Sequence, residues 1–260
     1  MPENIFKELS ACPQVEAIAL GGSRAENHFD ETSDYDVYIY ITSPVPEQIR
    51  RDILSKYCSF MEIGNHYWED EDNCTLNSGC DIDLIYRNME DFKKEISSVV
   101  DDFIPHNGYT TCMWHNLKHS KILFDRNGKF AQFQKQYMIP YPKELKKNII
   151  ERNMNLLDGY LPSYSHQIKK MVQRKDLVGI NHRVTEFLAS YFDVLFALNE
   201  QTHPGEKRLM EFCKENCSIL PQNFEDNITL LFSNMLLKEK TADFTVKQID
   251  LIVDELRKII

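Results

Sequence analysis

Apolar residues along this chain recur in two different periods, and the period changes partway. Val15-Glu16-Ala17-Ile18-Ala19-Leu20, Asp36–Ile41 and Asp81-Ile82-Asp83-Leu84-Ile85-Tyr86 are short apolar runs, which predicts strands. Met61–Trp68 reads as another strand. Helical spacing surrounds them. Residues 2–11 place Ile5, Phe6 and Leu9 on one side, and Pro44 and Pro46 open a helix from about Glu47 to Phe60, where proline is tolerated in a first turn. A further helix is expected from about Met89 to Ile104. Glu69-Asp70-Glu71-Asp72-Asn73 interrupts the pattern with charge and reads as a solvated loop. Strands alternating with helices predict a mixed α/β unit.

Past Asp125 the period becomes helical throughout. Tyr137–Pro142 holds two prolines and resembles a linker. Between Asn181 and Asn199, Val184, Phe187, Leu188, Tyr191, Phe192 and Leu195 recur at intervals of three and four, and Arg183, Glu186, Ser190 and Asp193 form a second stripe. Thr245 and Gln248 are spaced as a capping box opening the last helix. Four or five helices in an antiparallel bundle account for this region. The expected division is therefore residues 1–136 and 143–260.

Composition narrows the function classes. With 42% apolar and 27% charged residues, the 260-residue chain is an ordinary folded protein. Its net charge of -10 argues against a grip on long nucleic acid, which phosphate neutralisation by basic side chains drives, and favours a small acceptor, with a cationic one well matched. The seven cysteines are odd in number and no secretory signal pattern precedes them, so reduced thiols and a cytoplasmic location are expected. Cys213 and Cys217 lack the second ligand pair of a structural zinc site. No run of about 18 apolar residues exists to span a membrane.

The candidate chemistry is concentrated in residues 21–36. Gly21 and Gly22 permit a sharp turn and close approach to a phosphate, and Ser23 opens a short helix whose free N–H groups favour an anion. Arg24 can reach a phosphate oxygen. Asp34 and Asp36 alternate along a strand and so share a face. Two neighbouring carboxylates repel unless a cation lies between them, and magnesium prefers such oxygen ligands. Asp81 and Asp83 have the same parity, so alternation does not choose between them as a third carboxylate. No Gly-Lys-Ser/Thr phosphate loop is present.

This pattern of Gly-Gly-Ser, spacer, Asp-x-Asp and a later strand Asp resembles the DNA polymerase β-type nucleotidyltransferase superfamily. Within it the chain is most similar to the bacterial group of lincosamide and aminoglycoside nucleotidyltransferases. Lys121–Lys129 and Phe196–Arg208 resemble segments of uncharacterised members. The resemblance implies an α+β fold: a small, twisted mixed sheet flanked by helices, followed by an antiparallel helical bundle that selects the acceptor. It implies Asp34, Asp36 and Asp83 as catalytic metal ligands for two Mg2+ ions, with Asp83 favoured because an apolar run follows it directly. It also implies Gly21, Gly22, Ser23 and Arg24 around a nucleoside triphosphate, ATP being the expected donor. Nucleoside monophosphate would pass to a hydroxyl of a small molecule such as an antibiotic, releasing pyrophosphate. Glu186 is then a candidate general base, and Lys207 a candidate contact to phosphate or substrate. Some relatives share a cleft between two subunits, so the resemblance allows a homodimer. Alternatives are nucleotidylation of a protein partner, or nucleotide binding without turnover. Arg174 and His182 are separated by seven residues, outside the spacing of the helical toxins that pair with minimal antitoxin nucleotidyltransferases.

Overall fold

The computed structural model describes residues 2–25, 34–235 and 241–260. They form two compact units, residues 1–97 with 113–139, and residues 98–112 with 140–260.

The first unit is built on one six-stranded sheet. Its strands are β1 (Val15–Leu20), β2 (Tyr35–Ile41), β3 (Cys58–Asn65), β4 (Asp70–Leu76), β5 (Asp81–Asn88) and β6 (Lys121–Asp125), in the spatial order β3-β4-β5-β2-β1-β6. Only β2 and β5 pair in parallel, so the sheet is mixed. Alternation then sorts the side chains. Val37, Ile39, Ile82, Leu84 and Ile18 face one way and pack with Ile5 and Leu9 of α1 (Glu3–Ser10) and with Ile53 and Leu54 of α3 (Glu47–Leu54). On the opposite face the Tyr40 ring packs at a tilt against Phe130, centroids 4.3 Å apart, and against Phe92 at 5.1 Å. Phe92 belongs to α4 (Met89–Val100) and Phe130 to α6 (Lys129–Gln136). The short α2 (Gly22–Ala25) leads out of β1, and α5 spans Cys112–His119.

The acidic run departs from its expectation. Residues 70–76 are not a loop but strand β4, paired on both edges. Two acids of the run find partners from other elements. Asp72 is fully buried and ion-paired with Arg50 of α3. It also accepts hydrogen bonds from Gly64 N–H at 2.9 Å and the Tyr86 hydroxyl at 3.0 Å. Glu69 accepts from Nε and Nη2 along one guanidinium edge of Arg87, at 2.7 and 2.6 Å. The acidic run is tolerated because Asp72 and Glu69 are paired and hydrogen-bonded, while burial raises the pKa of Glu71.

The second unit is helical. Its helices are α7 (Lys143–Met154, continued by a π-helical turn Asn155–Gly159), α8 (Tyr164–Gln173), α9 (Leu177–Leu198), α10 (Leu209–Asn216), α11 (Phe224–Met235) and α12 (Thr241–Arg257). Asp176 caps α9 by accepting from Gly179 N–H at 2.9 Å. Phe187, Tyr191, Phe192, Leu195 and Phe196 of α9 fill the core with Ile168, Phe224, Ile249 and Leu256. The stripe of polar residues on α9 is not solvated along its length, for Ser190 and Asp193 are buried. Asp193 holds residues 98–112 in this unit: it accepts from Thr110 N–H at 3.0 Å, the Thr110 hydroxyl at 2.6 Å and Asn153 Nδ2 at 3.1 Å. Burial pushes its carboxyl up to about 7, although those three donors oppose the rise. Gly108 rests directly on the Ala189 backbone of α9, at a φ of +90° that suits glycine. The capping box at Thr245 is also corrected. Thr245 lies inside α12, fully buried, while Gln248 donates to the Asn227 carbonyl of α11 at 3.0 Å.

Among the described residues no helix is long and apolar enough to cross a membrane, and all seven cysteines are free thiols.

Candidate active site

The site begins with a turn where two glycines leave room for their neighbours. After β1, Gly21 N–H donates to the Asp36 carbonyl at 2.8 Å, hooking the turn onto the start of β2. Gly22 has a φ of +60°, the left-handed region. A Cβ there would overlap Asp36 Oδ2 and stand 2.9 Å from its Cγ. The missing side chain is thus what lets a carboxylate lie against the turn. A Cβ on Gly21 would likewise overlap the ring of Tyr38.

The carboxylates follow from sheet register. Asp36 and Asp83 are direct partners across the parallel β2–β5 pair. Adjacent strands run about 4.8 Å apart, so these two half-buried side chains leave the same face in one row. Asn73 of β4 is the next residue in that row, and its Nδ2 donates to Asp83 Oδ1 at 2.8 Å. Glu71, two residues earlier on β4, faces the same way and is buried. Burial raises its pKa, and the charge of Asp83 raises it further.

The other nominated residues stand at the entry to these strands. Asp34 precedes β2 and is exposed. Its carbonyl accepts from Arg24 Nε at 3.1 Å. The Arg24 guanidinium lies 4.0 Å from the Tyr35 ring centroid and donates from Nη2 to Cys80 Sγ at 3.6 Å. Asp81 is exposed and accepts from the Thr75 hydroxyl at 2.7 Å. Parity left Asp81 and Asp83 equal, whereas register puts Asp83 beside Asp36. Ser23 lies in α2, and its side chain, with residues 26–33, is outside the described residues.

Among the described residues no group of three or more His, Cys, Asp or Glu side chains is gathered to hold a metal ion. The paired Asp36 and Asp83 carboxylates nonetheless have the donor chemistry of a hard divalent cation, since two like charges in one half-buried row repel without one. Tyr38, Asn73 and Glu71 escaped the sequence reading. For Asn73 and Glu71 the alternation within residues 70–76 was the available signal, hidden because the strand opens on three successive acids. In the second unit, Glu186 is half-buried with the Tyr164 hydroxyl 3.5 Å from its Oε2, and Lys207 is exposed.

Residues 3–107 match the family model described as a nucleotidyltransferase domain, and residues 111–209 match a domain of unknown function (DUF4037). No curated protein matches the chain. Among solved structures, a nucleotidyltransferase-like protein from Exiguobacterium sibiricum 255-15 shares 14% identity at a TM-score of 0.45, over 99% of this chain and 72% of that one. An aminoglycoside 6-adenyltransferase from Bacillus subtilis shares 11% identity at a TM-score of 0.30, over 98% and 88%. The spectinomycin adenyltransferase from Enterococcus faecialis, solved with ATP and spectinomycin, shares 10% identity at a TM-score of 0.30, over 97% and 98%.

Proposed function

We propose that this protein, whose residues 3–107 are a nucleotidyltransferase domain, transfers a nucleoside monophosphate from a nucleoside triphosphate to a hydroxyl of a small-molecule acceptor, releasing pyrophosphate. The observation that carries the reading is the Asp36–Asp83 row with the Gly21–Gly22 turn locked against it. ATP is the proposed donor.

In this reading Gly21 N–H is spent on the Asp36 carbonyl, and the N–H groups at the start of α2 receive the terminal phosphates, which is the service a helix start offers an anion. Asp34, Asp36 and Asp83 would hold two Mg2+ ions, which when bound supply charge neutralisation for the triphosphate and lower the pKa of the attacking hydroxyl. The bond from the α-phosphorus to the bridging oxygen breaks as the acceptor oxygen bonds to phosphorus, the bridging oxygen leaves with pyrophosphate, and the hydroxyl proton passes to solvent. Asn73 keeps the Asp83 carboxylate oriented by its amide hydrogen bond. The hook from Gly21 to Asp36 fixes phosphate turn and carboxylate in one frame, so positioning and electrostatics carry the rate. Recognition of the acceptor is assigned to residues 143–260.

The test is incubation of the protein with ATP, GTP, CTP or UTP, magnesium and a panel of hydroxyl-bearing small molecules, followed by measurement of pyrophosphate. Acceptor-dependent release is expected. Binding without release under every combination, or label transferred only to a protein, would overturn the small-acceptor reading.

A further inference from the structure

The aromatic and charged side chains behind the glycine turn form a stack that the proposed chemistry does not use. Tyr38 is two residues beyond Asp36 on β2 and shares its face. Gly21 is pressed onto its ring: a Cβ at Gly21 would overlap Cε2 and come within 3.0 Å of Cδ2 and 3.3 Å of Cζ. On Tyr38 lies the Arg87 guanidinium, 4.2 Å from the ring centroid. Arg87 is itself 8% exposed and engaged at all three nitrogens, donating from Nε and Nη2 to Glu69 and from Nη1 to Asn116 Oδ1 at 3.2 Å. Burial works to lower the Arg87 pKa, and the hydrogen-bonded Glu69 carboxylate more than reverses this, so the guanidinium stays charged.

Resting on the reading that the Gly21–Gly22 turn takes the triphosphate, we propose that Tyr38 is the positioning residue of that turn, its ring serving as the floor under Gly21 and the Arg87–Glu69 pair holding the ring in place. The argument is one of contacts. Gly21 is held between its hydrogen bond to the Asp36 carbonyl and the Tyr38 ring, so neither displacement is open to it. A planar guanidinium laid on a ring and clamped by a bidentate carboxylate resists tilting of that ring, which lysine in the same place would not do. Donors at a phosphate site are worth most when they need no rearrangement, and the floor supplies that condition.

The experiment is calorimetric titration of the whole protein with each of the four Mg·NTPs, alongside thermal unfolding, for the native chain, Tyr38→Leu, Tyr38→Phe and Glu69→Gln. Tyr38→Phe keeps the ring and should bind the preferred nucleotide as the native protein does. Tyr38→Leu should weaken that binding by about tenfold or more while remaining folded, since misplaced donors lose much of their value. Glu69→Gln should weaken it by a smaller factor, and it carries the test if Tyr38→Leu does not fold. A native protein that binds none of the four nucleotides would remove the triphosphate reading and this inference with it. Binding by the native protein that Tyr38→Leu and Glu69→Gln both match would overturn the inference alone.

Discussion

The backbone of Gly22 occupies the space beside the Asp36 carboxylate that any side chain would need. The turn and the acid are therefore a single construction, in which a side chain added at Gly22 displaces the carboxylate.

Replacing that glycine is accordingly the sharpest test of the construction. Gly22→Ala should cost about 1–2 kcal/mol from its left-handed φ alone, with further loss from overlap with Asp36. Thermal unfolding should show a fall of a few degrees, and nucleotide-dependent pyrophosphate release should be lost. A variant that retains full turnover would mean the turn does not sit at the phosphates.

Removing one acid from the Asp36–Asp83 row should separate fold from chemistry. Asp36→Asn and Asp83→Asn should each lower pyrophosphate release on the order of a hundredfold or more. In the presence of a chelator both should be as stable as the native chain or more so, because a like-charge repulsion is relieved. Magnesium should raise the unfolding temperature of the native chain and not of the variants.

The acidic strand rests on Arg50. Arg50→Met leaves the buried Asp72 uncompensated and should destabilise the first unit by about 3–5 kcal/mol. Adding Asp72→Asn, which keeps an acceptor for Gly64 N–H and the Tyr86 hydroxyl, should recover part of the loss. Denaturant unfolding of the two variants measures this directly.

The second unit should carry a pH dependence of its own through Asp193. Its folded pKa of about 7 exceeds the ordinary 3.8, so between these values the folded state keeps a proton that the unfolded state has released. The associated stability is complete below 3.8 and is lost as pH rises through about 7, a difference on the order of 4 kcal/mol. Chemical denaturation across that window should show stability falling with pH, and Asp193→Asn should flatten the slope.

Local pattern was sufficient for the strands that bear Asp36 and Asp83, the turn at Gly21–Gly22 and the apolar stripe of α9, because each depends on periodicity or on a residue type within a few positions. The edge strand β6 was read only as a resembling segment, since its pairing with β1 joins residues about a hundred positions apart. Residues 98–112 carry no local sign of the unit they pack with; the buried acid Asp193, far along the chain, decides it.

What the amino-acid order determined by itself was therefore the chemistry on offer: a glycine turn, alternating carboxylates and a switch from strand to helical period. Tertiary structure alone decided which acids become what. Glu69, Glu71, Asp72 and Asp83 are the same two residue types within fifteen positions. Arg87 pairs the first, burial near Asp83 raises the pKa of the second, Arg50 neutralises the third, and register sets the fourth beside Asp36. The physical reason is that a carboxylate's role is set by the charges and donors around it in space, and those arrive from elements distant in the chain.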